Sequence, residues 1–361
     1  MYESMPVSIE QRTRRKHASR PLGRRAVLWA VGLFLVSQAA LGLFLAHDGF
    51  AVRDPVRHGR LKMLRDRIAE APSPPKVVVL LGSSHVDSAL RARQMSLEVS
   101  EALCRPVVVA NQGVSGGGAF RSLLAVDRLL HEGIVPDLVV LETFPAMFND
   151  TPAYNDATEA ALPLELLDEA DVELLRRYAV DRPDLGADRR GEELVPGYGY
   201  RANLGNYLLP WLLPSGRRRS APPEEEVLEE TTAERREKGL ANSRKEYYPR
   251  LQNLTLGDPR QMRAVGELVE DLRSRGAKVV FLAMPEGPTF RSWYPADRRA
   301  KSVVWLRDLA AARGVPSIDA RDWSDREETF SDSHHLTRDG SEQFSRWLGR
   351  EVLVPQLRAG R

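Results

Sequence analysis

From residue 76 onward the chain alternates two kinds of segment. One is a short unbroken apolar run: Lys76-Val77-Val78-Val79-Leu80-Leu81, Pro106-Val107-Val108-Val109-Ala110, Asp137-Leu138-Val139-Val140-Leu141, Lys278-Val279-Val280-Phe281-Leu282-Ala283 and, weakest, Val315-Pro316-Ser317-Ile318-Asp319. Such runs predict strands buried on both faces. The other kind is longer and helical, over 87–103, 119–132, 259–275, 298–313 and 339–352. Continuous apolar strands alternating with helices predict an α/β domain. Right-handed crossovers make it a doubly wound, flavodoxin-like, parallel five-stranded sheet. Such a sheet binds ligands beyond the carboxyl ends of its strands.

Two segments break the alternation. Residues 151–257 form an insertion between the third and fourth strands. Leu162 to Tyr178 has helical periodicity. A Gly/Tyr-rich stretch follows, Pro196-Gly197-Tyr198-Gly199-Tyr200, and then an apolar patch, Tyr207-Leu208-Leu209-Pro210-Trp211-Leu212-Leu213, before a charge-rich tract. A structureless loop of that length is improbable, so a small helical cap or a partly disordered arm is expected, its apolar patch resting on the main domain rather than on a membrane. The second segment is the uncharged run Ala26 to Ala46, long enough as a helix to cross a bilayer core of about 30 Å.

Charge then gives that run a direction. Arg12, Arg14, Arg15, Lys16, Arg20, Arg24 and Arg25 precede it, against Glu3 and Glu10. The positive-inside rule puts residues 1–25 in the cytoplasm as a basic tail, 26–46 across the membrane, and the rest outside. A cleaved signal peptide is the rival, but its apolar core is usually about 7 to 15 residues. Residues 47–75 end in Ala71-Pro72-Ser73-Pro74-Pro75 and predict a juxtamembrane helix over 56–70, then a spacer lifting the 76–361 domain off the membrane. Elsewhere the charge is balanced: 52 basic against 50 acidic side chains leave +2. That is no footprint for nucleic acid. The single cysteine, Cys104, cannot close an intramolecular disulfide and is expected to be a small buried residue.

Three loops at the carboxyl ends of the predicted strands carry candidate chemistry. After the first strand comes Gly82-Ser83-Ser84-His85. After the second comes Asn111-Gln112-Gly113-Val114-Ser115-Gly116-Gly117-Gly118. After the fifth comes Ser331-Asp332-Ser333-His334-His335-Leu336, with Gly340 just beyond. A hydroxyl, backbone amides beside glycines, and an Asp-x-x-His pair are what acyl transfer needs as nucleophile, oxyanion donors, orienting acid and base.

These three blocks, in this order, resemble the SGNH (GDSL-like) hydrolase and acyltransferase superfamily over 76–150 and 258–352. Gly82-Ser83-Ser84 matches its Gly-Asp-Ser-like turn, with Ser83 in place of Asp. Asn111-Gln112-Gly113 matches its Asn-x-Gly-like loop, and Asp332-Ser333-His334-His335 its terminal Asp-x-x-His. The resemblance implies Ser84 as nucleophile, His335 as base and Asp332 as its orienting acid, with the amides of Ser84 and Gly113 as oxyanion donors. His334 is the alternative base if the register slips by one. The family's asparagine after the third strand is missing: here the strand runs into Glu142-Thr143-Phe144-Pro145, and Asn149 reaches the site only if its loop folds back. His85, Asn111, Arg291 and Tyr294 are further candidates for substrate contact.

With the anchor, the resemblance is to membrane-bound members acting on cell-envelope polymers. The expected activity is removal or transfer of a short acyl group, acetyl first, on an extracytoplasmic carbohydrate or envelope polymer, possible partners including a membrane acyltransferase. A catalytically weak module that binds or scaffolds such a polymer is the alternative. No cofactor is expected. A metal at Asp332, His334 and His335 lacks a second cluster of ligands in the sequence, so none is expected.

Overall fold

The computed structural model describes residues 20–151, 162, 166–178, 195–209, 211 and 232–359. The amino-terminal helix α1 (Arg20–Asp48) contains an apolar span, Gly23–Leu45, most of it exposed and only its end, Leu45, buried. That is one helix long and apolar enough to cross a membrane, and it brackets the 26–46 run.

A short turn of helix leads to α2 (Pro55–Glu70), capped by the Asp54 carboxylate on the Arg57 amide at 3.0 Å. In place of a spacer, α2 is a docked element. Leu61 and Leu64 are buried in the main core. Arg67 donates to the Val109 carbonyl at 2.9 Å and to Ser96 Oγ at 2.6 Å. The proline run 72–75 is only the turn from α2 into the first strand.

The α/β unit follows: β1 (Lys76–Leu81), α3 (Ser84–Ala89), α4 (Ala92–Leu103), β2 (Val107–Asn111), α5 (Ala119–His131) and β3 (Leu138–Glu142). The insertion supplies α6 (Glu169–Arg176), α7 (Pro196–Gly199), α8 (Arg201–Leu208) and α9 (Ala233–Gln252). Then come α10 (Pro259–Ser274), β4 (Lys278–Ala283), α11 (Ala296–Arg313), β5 (Ser317–Asp319) and α12 (Arg338–Leu348). The sheet is parallel throughout, in the order β2-β1-β3-β4-β5, as expected for a flavodoxin-like winding.

The two-residue repeat of a strand divides the core. Val77, Val79 and Leu81 face a layer with α2, α5, α10 and α11; Val78 and Leu80 face Met95 and Val99 of α4 and Phe344 and Leu348 of α12. Both faces are covered, which is why these strands read as unbroken apolar runs. Strand ends fall within two residues of expectation. The 87–103 helix is really two, α3 and α4, broken at Leu90-Arg91. Cys104 is exposed rather than buried, in the left-handed conformation (φ 50°) that ends α4.

Candidate active site

All three chemical loops lie at the carboxyl edge of the sheet. The first is Gly82-Ser83-Ser84. Ser83 is the N-cap of α3, accepting from the His85 amide at 3.1 Å, which leaves the Ser84 hydroxyl free of capping duty. A Cβ on Gly82 would overlap Glu142 and Val86, so the turn is as tight as glycine permits.

Across the cleft, the Asp332 carboxylate holds the terminal loop together. Its Oδ1 accepts the His335 amide at 2.8 Å and the His334 amide at 3.3 Å; its Oδ2 accepts His335 Nδ1 at 2.8 Å. The other ring nitrogen, His335 Nε2, lies 2.8 Å from Ser84 Oγ. With Nδ1 protonated toward the acid, Nε2 is the acceptor of the serine proton. Ser333, between them, sits at φ 72°, an uncommon conformation for a residue with a side chain. Burial raises the Asp332 carboxyl, but the hydrogen bonds from the His335 ring and amide help to outweigh it and hold the group well below the ordinary carboxylate range. The acid is therefore ionised. His334 is buried, and burial first, then His335, pushes it well below the ordinary imidazole range. It stays neutral; its Nδ1 approaches Asp332 Oδ1 to 3.2 Å out of line for a hydrogen bond. The register is thus His335, not His334, against Ser84.

The remaining candidates fall elsewhere. Asn111 gives its amide protons to the carbonyls of Val86 (2.8 Å), Leu90 (3.1 Å) and Asp87 (3.2 Å), tying down the end of α3. Its Oδ1 accepts the Gly113 amide at 2.9 Å, so that amide is already engaged. Asn149 is buried and turned to the segment before α10, its Oδ1 accepting from the Thr255 amide at 3.0 Å. Arg291 clamps a loop through Asp322 (2.6 Å) and Asp325 (2.7 Å). Tyr294 is buried and donates to Glu286 Oε1 at 2.8 Å. These hydrogen bonds are all made to the scaffold and not to Ser84 or His335. The Ser84 amide, at the first position of α3, is beyond the reach of any intrahelical acceptor.

His85 does join the site, from behind. Its Nδ1 lies 2.9 Å from Glu142 Oε1, and Glu142 Oε2 accepts the Ser83 amide at 2.6 Å. Both side chains are buried. Glu142 thus braces the nucleophile turn from the end of β3. Its signal in the sequence is a carboxylate closing an otherwise apolar buried strand. The rings of His85, His334 and His335 pack edge to face or tilted, with centroids 4.0–5.3 Å apart, and Tyr247 of α9 and Phe290 cover His334 at 4.9 and 5.3 Å. Nitrogens of the three histidines lie within 4.8 Å of one another. Zinc–nitrogen bonds of about 2.0–2.1 Å require closer spacing, and both His335 nitrogens are occupied by Asp332 and Ser84.

No protein-family model matches the sequence, and no curated protein matches it. Solved structures do. A lipase/acylhydrolase from Enterococcus faecalis is 15% identical, covering 78% of this chain and 96% of its own, with TM-score 0.37. A GDSL-like lipase from Bacteroides thetaiotaomicron is 12% identical, covering 82% and 100%, with TM-score 0.36. An acetyl-xylooligosaccharide esterase from Geobacillus is 10% identical, covering 76% and 92%, with TM-score 0.33.

Proposed function

We propose that this chain is a serine esterase or O-acyltransferase of the SGNH type, anchored in a membrane by α1, with its α/β domain outside the cytoplasm. The observation that carries the reading is the Ser84–His335–Asp332 relay, two consecutive 2.8 Å contacts joining loops 251 residues apart.

In this reading Ser84 Oγ attacks an ester carbonyl as its proton passes to His335 Nε2. Asp332, ionised, stabilises the imidazolium that forms and fixes the ring. His335 then returns the proton to the leaving oxygen, giving an acyl-Ser84 and a free alcohol. Water or an acceptor hydroxyl repeats the cycle and restores the serine. The proposed substrates are short acyl esters, acetyl first, of an extracytoplasmic carbohydrate or envelope polymer; a membrane acyltransferase fits as supplier of the acyl group.

The oxyanion arrangement favours a second reading. With the Gly113 amide bonded to Asn111 and Asn149 turned away, the Ser84 amide is left as the donor among those considered. Loss of one such donor costs about 10²–10³ in rate. A slow hydrolase that needs a bound acceptor, or a module that binds esters without turnover, agrees with that.

One experiment separates the readings: fluorophosphonate labelling and p-nitrophenyl acetate turnover by the full-length protein in detergent, beside Ser84→Ala. Labelling of the wild type that vanishes in the variant is the expected result. Equal, background labelling of two folded proteins would remove the catalytic assignment and leave the binding module.

A further inference from the structure

Among the described residues of the insertion's apolar patch, Tyr207, Leu208, Leu209 and Trp211 are exposed rather than packed on the α/β domain, and the stretch just before it, 196–204, joins α1 and the turn beyond it. The Gly197 amide donates to Gln38 Oε1 at 2.8 Å, and Gln38 lies inside the apolar span Gly23–Leu45. A Cβ on Gly42 would stand 3.6 Å from the Pro196 ring. Leu45, Val52 and Tyr200 form a small buried cluster with Leu41 and Leu204 against it. Asn203 ties α8 to the connection below α1, donating to the Arg53 carbonyl at 3.2 Å.

Depth follows from helix geometry. Gln38 is seven residues before the end of the span at Leu45, about 10 Å at one helical rise per residue. Gly197 therefore reaches about as deep. Gln38, the one strongly polar side chain of the uncharged run 26–46, accepts a backbone amide, and α7 satisfies its own amides: Tyr198 and Gly199 donate to Val195, and Tyr200 to Pro196. The outward side is apolar and aromatic: Tyr198, Tyr207, Leu208, Leu209 and Trp211 are exposed, Trp211 by 66%. Arg201 stacks over the Tyr198 ring at 4.2 Å, a cation held where a headgroup region would begin.

Resting on the reading that α1 spans a membrane, we infer that residues 195–209, with Trp211, form a second membrane-embedded element, seated beside α1 in the leaflet nearer the α/β domain, with Tyr198, Tyr207, Leu208, Leu209 and Trp211 in lipid. The occupant of this surface is the bilayer itself. Through Gly197 on Gln38 and Pro196 beside Gly42, this element adjoins α1, whose side chains are largely exposed and apolar.

The same connection aims the site. α2 starts immediately beyond this element, and within its second turn Arg60 bonds to Asp87 of α3 at 2.6 Å and to the Gly113 carbonyl. About two turns further on, Arg67 has already reached the middle of β2. The carboxyl edge of the sheet, with Ser84, thus faces the bilayer and the amino edge, with Cys104, faces away. The ester that meets Ser84 is one presented at the membrane surface.

The test uses full-length protein in phosphatidylcholine bilayers containing doxyl-labelled lipid. A bimane probe goes on the native Cys104 in one sample and on Leu208→Cys, with Cys104→Ser, in the other. Leu208 is exposed, so the substitution leaves packing intact. Several-fold stronger quenching at 208 than at 104 is expected, strongest with the doxyl group near the headgroup. Quenching at 208 no greater than at 104 overturns the inference. Serine labelling plays no part in this readout, so a failed catalytic assignment and a failed membrane element would be told apart.

Discussion

Glu286 is a carboxyl placed where ionisation is costly. It is fully buried, and burial raises it from an ordinary 4.5 to about 7, against the opposing pull of Arg321 and the Tyr294 hydroxyl. Its Oε1 accepts from Tyr294, while Oε2 has no partner, which suits a protonated group. The folded value lies above the unfolded one. Its contribution is therefore fully present below about pH 4.5 and is lost as pH rises through about 7. Glu286→Gln should remove that slope: its melting temperature relative to wild type should be higher at pH 8 than at pH 5, measured by thermal denaturation in both buffers. A constant difference across that range would mean Glu286 is ionised throughout. At this scale the sequence showed the reacting groups but not their braces. Ser84, Asp332 and His335 have residue types that announce their chemistry. The Glu142–His85 contact joins positions 57 apart that only the strand order brings together. Asn111 and Tyr294 suit substrate binding by type, yet their hydrogen bonds are spent on the scaffold.

Among elements, β1 to β4 were legible because each is buried on both faces and so carries a continuous apolar signature; β5, half-buried and edge-on, gave the weakest run. The insertion was legible only in part: the helical periodicity of 162–178 holds α6, whereas α9 is specified by what it lies on. α9 is long and strongly charged, and its decisive residue is a glycine. A Cβ at Gly239 would stand 2.9 Å from the Asp332 Cβ. Tyr247, two turns later, covers His334. The last helix of the insertion is thus a lid over the acid and the histidines. In an isolated helix Gly→Ala gains about 1 kcal/mol. Here Gly239→Ala must displace either α9 or the Asp332 loop, and a misplacement of about 1 Å can cost about 10²-fold in rate. The variant should keep the wild-type melting temperature within a few degrees while its fluorophosphonate labelling rate falls at least about tenfold. Unchanged labelling would show that α9 yields and Asp332 does not.

For the whole molecule, the segment between α1 and the α/β domain decides how the parts act together. A proline-rich stretch reads as a hinge, and a hinge would let the domain turn freely above the bilayer. The structure instead uses the preceding helix as a rigid strut. Leu61 and Leu64 are buried in the core, each stabilising by about 1.5–3 kcal/mol. The bonds of Arg60 and Arg67 to α3, β2 and α4 add about 1 kcal/mol each. Together these approach a whole domain's stability margin of about 5–15 kcal/mol. A chain cut at residue 72 would lose all of them and expose the apolar strip that α2 covers. A chain cut before Asp54 keeps the strut with its cap. Residues 54–361 should therefore unfold in one cooperative transition in urea and retain serine labelling, whereas residues 72–361 should aggregate or unfold without a baseline. If the shorter chain melts as steeply and as late as the longer one, α2 is a passenger, and the fixed orientation of Ser84 toward the bilayer has no structural support.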